Sequence, residues 1–120
     1  MESAGKRAAE ARAKMNRARV ELVELPEEHA QALGVKALEL RAPSMRVSSD
    51  AFNAEGFDTL GTVMSAMVWL PAEGDQPAEQ LWPTPADVGA VATDASKAVG
   101  YVYTRALALL QAGREASPKG

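Results

Sequence analysis

Apolar positions recur along this chain with two different spacings, and the changes of spacing divide it into elements. In residues 20–25, VELVEL, and 35–41, VKALELR, apolar and charged side chains alternate over a few positions, which is the period of a strand. In the second run Glu39 and Arg41 face away from Leu38 and Leu40. Further on the period lengthens. Leu60, Val63, Met64, Met67 and Val68 fall at i, i+3, i+4, i+7 and i+8, one face of a helix that Asp58 or Thr59 can cap and Pro71 ends. The last helix is predicted over about 95–112, with Val99, Val102, Tyr103, Ala106, Leu107 and Leu110 on one broad face and Leu109 widening it. That face covers more of the circumference than one buried contact needs.

Turn and cap residues fill in the rest. Between the two strands, Pro26 with Glu27 and Glu28, then Gly34, predicts one or two helical turns with a glycine stop. Pro43 and the polar SSD run mark a boundary, and 44–57 reads as a short helix and a loop. Residues 71–80, PAEGDQPAEQ, read as an exposed acidic loop. In LWPTPADVGAV, Thr84 sits where an N-cap hydroxyl belongs, Pro85 takes the first helical position and Asp87 the third. Leu81 and Trp82 pack just ahead of that helix, and Thr93-Asp94 gives a second cap signal. The expected fold is α+β and mostly helical: a short two-stranded β-hairpin followed by three to four helices. Residues 1–19 form a basic N-terminal helical arm, 20–112 the α+β domain, and 113–120 a flexible tail.

Size and composition narrow the class. A chain of 120 residues makes one domain and buries roughly two thirds of its unfolded surface. With 47% hydrophobic but only 5% aromatic residues, its core is built from Ala, Val, Leu and Met. The absence of cysteine excludes disulfides and thiolate metal sites. No apolar run approaches the roughly 18 residues of a membrane helix, and no signal-peptide pattern opens the chain, so a soluble, cytoplasmic protein is expected. Charge is unevenly placed. Residues 1–19 carry six basic side chains against two acidic ones, a local +4, which leaves −7 on the remainder of a chain of net charge −3. A basic arm on an acidic body suits nucleic acid or an acidic surface of a like subunit. The arm has no interleaved aromatics and no DNA-binding motif, which disfavours nucleic acid. Its apolar stripe of Ala4, Ala8, Ala11, Met15 and Ala18 is thin, and such a helix is marginal alone.

Candidate chemistry is sparse. His29 is the single histidine, read as an exposed helical-turn residue with no second ligand to complete a transition-metal site. Ser44, Ser48 and Ser49 read as turn residues, and Glu73 and Asp75 as solvated loop charge; neither phosphate-cradling glycine pattern is present. No catalytic, cofactor-binding or metal-binding residue is assigned, and an enzyme is not expected. Gly61, Gly89 and Gly100 each cost about 1 kcal/mol inside a helix relative to alanine. Gly100 belongs to a row with Ala92, Ser96, Thr104 and Ala108, either a groove for another helix or a thin solvated back. Tyr101 and Arg105, one turn apart, read as a partner-facing pair or as incidental surface. Trp69, at the end of the middle helix, and Trp82 read first as core lids, then as contact anchors.

The order of signals resembles a known family. A VELPE strand, a second strand ending in LR, the helix FDTLGTVMSAMVWL, an acidic loop and LWPTPADVGAVATDASKAVGYVYTRALALL are similar to the tail assembly chaperones of bacteriophages with long, non-contractile tails (siphophage type). Leu81, Trp82, Thr84, Asp87, Val88 and the helix to Leu110 carry the likeness, over roughly 20–112. The chain departs from the pattern in the longer connection EEHAQALG and in SMRVSSDAF. The resemblance implies binding, not catalysis. Such chaperones coat the tape-measure protein, keep it soluble while tail tube protein polymerises around it, act in the cytoplasm of the bacterial host, and are absent from the mature virion. It also implies a longer product made by ribosomal frameshifting, for which codons of residues 117–120 can supply a slippery heptamer. The expected partner-binding residues are Val99, Tyr101, Tyr103, Leu107, Leu109, Leu110 and Trp82. A homo-oligomer is compatible with this reading, and no membrane partner or cofactor is expected. Alternatives are a structural tail or head–tail connector subunit and a small nucleic-acid-associated regulator.

Overall fold

The two alternating runs pair as their pattern requires. In the computed structural model, which describes the backbone of residues 3–15 and 19–115 and the side chains of 5–15 and 19–112, β1 (Val20–Glu24) and β2 (Ala37–Arg41) are antiparallel. Val23 stands opposite Leu38 and Leu22 opposite Glu39. The period of two therefore buries Val23, Leu38 and Leu40 on one face and sends Val20, Leu22, Glu39 and Arg41 to the other. The connection is α2 (Glu27–Leu33), stopped by Gly34 at φ 75°, whose N–H donates to the Ala30 carbonyl at 2.8 Å.

The sheet is larger than the expected hairpin: four antiparallel strands in the order β1-β2-β3-β4. After α3 (Met45–Asn53), whose cap Ser44 accepts from the Val47 N–H, comes α4 (Phe57–Met67). Gly56, not Asp58 or Thr59, is its N-cap. Nor does α4 continue to Pro71. It passes without a loop into β3 (Val68–Leu70), which pairs with β2 through Leu40 opposite Val68. The helical spacing runs through Val68, yet Val68, Trp69 and Leu70 are also good strand formers, and the free edge of β2 decides between the two. β4 (Glu79–Gln80) then pairs with β3, so the segment expected as an acidic loop is largely a hairpin connection. At its tip Glu73 and Gln76 exchange backbone bonds of 2.9 and 3.0 Å around Gly74, at φ 58° in the first turn position.

α5 (Pro85–Gly89) starts as its sequence predicts, and a 3-10 turn at Thr93–Ala95 leads into α6 (Ser96–Glu115). α6 reaches three residues into the expected tail, while 116–120 lie outside the described residues. The basic arm is helical as α1 (Ser3–Met15); its predicted extension through 16–18 lies outside the described residues, and Arg19 is already non-helical, accepting from Ala42 N–H at 2.9 Å.

Helices cover one face of the sheet. Leu38, Leu40, Val63, Met64, Met67, Val68 and Val102 are the largest fully buried side chains, drawn from β2, α4, β3 and α6. This is a two-layer α+β arrangement with a single core. α1 takes no part in it, since every described side chain from 5 to 15 is exposed.

Candidate partner-binding surface

The broad face of α6 was the expected contact surface, and the fold uses most of it internally. Val99, Leu109 and Leu110 are buried at 7%, 3% and 4% exposure, and Trp82 at 7%. All four belong to the core, where no partner reaches them in this fold. Tyr101, Tyr103 and Leu107 are half-buried along its border. The width of the face has a physical cause: α6 packs against both α4 and α2 and contributes to the same core as β1 and β2. Several neighbours, not one, consume the apolar circumference.

The conspicuous polar and aromatic side chains of α6 are also engaged within the chain. The Tyr101 ring lies 4.9 Å from that of His29, tilted by 38°. His29 is thus half-buried between α2 and α6, not the exposed turn residue its sequence context suggests. Arg105 donates to the Glu21 carboxylate at 3.1 Å, tying α6 to β1. The small-residue row behaves differently. A Cβ on Gly100 would meet nothing within 4 Å, so none of the described helices approaches there, whereas one on Gly61 would come within 3.1 Å of Pro85 Cβ. Gly61 is what lets α5 sit close on α4.

The residues that carry the family likeness make a local unit. The Thr84 hydroxyl accepts from the Asp87 N–H at 3.3 Å, and the Asp87 carboxylate accepts from the Thr84 N–H at 3.0 Å and from its hydroxyl at 2.9 Å. Val88 and Trp82 are buried beside this capping box. Trp69 is not at a helix end but on β3, on the outer face of the sheet. Its Nε1 donates to the Ala66 carbonyl at 3.2 Å, and the Arg41 guanidinium lies 4.0 Å from its ring centroid while also pairing with Glu39 at 2.6 Å.

Exposed apolar side chains stand elsewhere. Met45 is 90% exposed and Phe52 48%, at the two ends of α3, and Phe57, the first residue of α4, is 55% exposed. Met45 and Phe52 are seven residues apart on α3 and so share a helix face. Val20 and Leu22 are 53% and 60% exposed on the outer side of β1. Around the other end of β1, Glu24, Leu25, Glu27, Ala30, Gln31 and Lys36 line an open groove of about 740 Å³. Sequence reasoning named none of these surfaces. A signal was present: VELVEL places Val20 and Leu22 on one strand face and Val23 and Leu25 on the other, so both faces are apolar.

Among the described residues no group of three His, Asp or Glu side chains is placed to hold a metal ion, and no helix is long and apolar enough to cross a membrane. Comparison with protein-family models, with curated proteins and with solved structures gives no match to this chain.

Proposed function

We propose that the chain is a tail assembly chaperone of the siphophage type. It binds the tape-measure protein in the host cytoplasm, keeps that long helical chain soluble, helps recruit tail tube subunits, and leaves before the particle is complete. The observation that carries this reading is the set of exposed apolar side chains on α3 and at the start of α4, Met45, Phe52 and Phe57, on an otherwise acidic body. A patch of this kind suits the apolar stripe of an amphipathic helix, and a methionine thioether adapts to stripes of varied shape. The capping box at Thr84 and Asp87, with Trp82 and Val88 beneath it, supports the resemblance as a structural unit. In this reading α6 is the scaffold, and α3 with the start of α4 the grip. Many copies on one extended client then act together through multivalency, with no single tight site.

The test is co-expression with the product of a long, coiled-coil-rich reading frame adjoining the gene. A soluble complex carrying several copies of this chain per client is expected. The double variant Met45→Ser/Phe52→Ser should lose that capture while its own thermal melting is unchanged. A client that is equally insoluble with and without the chain sinks the proposal. Recovery of the chain from purified virions, by mass spectrometry, would instead establish a structural tail component.

A further inference from the structure

Among the described residues β1 is an open sheet edge. The bonds from Ala42 N–H to the Arg19 carbonyl and from Leu25 N–H to the Lys36 carbonyl, 2.9 and 3.0 Å, fix which residues face β2. Glu21 and Val23 turn their amide groups inward, and Val20, Leu22 and Glu24 turn theirs to the unpaired side. Native sheets blunt such edges with proline, charged side chains (lysine above all), inward-pointing charges, a bulge or extreme shortness. The opposite edge, β4, is only two residues long. β1 has five residues in unbroken register, with neither proline nor lysine; of its two charges Glu21 is paired with Arg105, and its outward positions carry exposed Val20 and Leu22 beside Glu24.

We infer that β1 pairs with β1 of a second copy of this chain, antiparallel about a twofold axis at Leu22, and that each α1 crosses onto the partner. In this register Leu22 faces the partner's Leu22, and Val20 faces the partner's Glu24. Each hydrogen-bonded pair exchanges two bonds, so every outward amide of β1 is satisfied. Neighbouring symmetric registers are worse. Centring on Glu21 sets two carboxylates face to face, and centring on Val23 draws Pro26, which has no N–H, into the ladder.

Charge supplies the second half of the argument. The pairing puts Arg19 opposite the partner's Leu25, so α1 is delivered beside the partner's α2, where the groove residues Glu24 and Glu27 and neighbouring Glu28 outnumber Lys36. α1 is exposed along its described length and carries Lys6, Arg7, Arg12 and Lys14 against Glu10. Its own groove lies at the far end of β1, roughly 14 Å along the strand, while the partner's lies at hand. A five-residue ladder is a small contact by itself, and stable dimers bury about 1,200–2,000 Å². The 13-residue α1 contributes the area the ladder lacks.

The full chain should sediment as a dimer. Because it has no cysteine, Leu22→Cys introduces a single thiol, placed about 5.5 Å by Cα from its twofold mate, within disulfide reach. It should form a covalent dimer on mild oxidation. Val20→Cys, whose twofold mates stand four residues out of register, about 13 Å apart, should not. Leu22→Lys should weaken the dimer at least about tenfold. Arg12→Glu/Lys14→Glu should weaken it as well, with Arg12→Lys/Lys14→Arg restoring it. A monomer at every concentration, or equal cross-linking of the two cysteine variants, overturns the pairing. A dimer indifferent to the charge reversal overturns the crossing of α1.

Discussion

At Thr84 one hydroxyl serves twice, accepting from the Asp87 amide and donating to the Asp87 carboxylate, while that carboxylate closes the box on the Thr84 amide. Thr84→Ala should cost about 1 kcal/mol in urea denaturation, and Thr84→Ser should recover most of it. Gly100→Ala should act in the opposite direction. The site is inside α6 with nothing within 4 Å of the new methyl group, so up to about 1 kcal/mol of helix propensity is gained, read as a higher melting temperature. Features closed within four residues, such as this cap and the glycine stop at Gly34, were legible from the sequence because local chemistry determines them. The setting of His29 was not. Its neighbour Tyr101 is brought to it by the packing of α2 on α6, about which the residues around His29 carry no information.

Elements were legible where one periodicity ruled. β1, β2, α2, α5 and α6 stand close to their expected positions. β3 was hidden because Val68 satisfies a helical and an extended pattern at once, and the partner that settles the matter, β2, is 28 residues earlier by the Leu40–Val68 pairing. β4 was hidden because two residues, Glu79 and Gln80, are too few to show alternation. Its anchor is tertiary: Gln80 Nε2 donates to the Ser65 carbonyl at 2.8 Å, and the next residue, Leu81, donates its N–H to Val68. Gln80→Ala should cost about 1 kcal/mol and speed hydrogen exchange at the Leu81 amide ahead of the β1–β2 amides. Unchanged protection at Leu81 would mean that the side-chain bond does not hold β4 in place.

For the whole molecule, the broad apolar face expected on α6 is spent on the core, and the exposed apolar side chains stand on other elements. A single helix wheel cannot reveal how many neighbours a helix has, and α6 has enough to absorb nearly all of its apolar face. Core and surface should consequently separate in experiment. Leu109→Ala, at a site 3% exposed, should lose about 2–5 kcal/mol of stability. Met45→Ser should stay within about 0.5 kcal/mol of the parent. If Leu109→Ala proves as mild as Met45→Ser, α6 is not packed as described.

Met67 is the last helical residue of α4 and Val68 already lies in the ladder, so no slack segment separates them. Motion of α4 along its axis is therefore transmitted directly to the rungs between β3 and β2, so helix and sheet should open as one cooperative unit in hydrogen exchange.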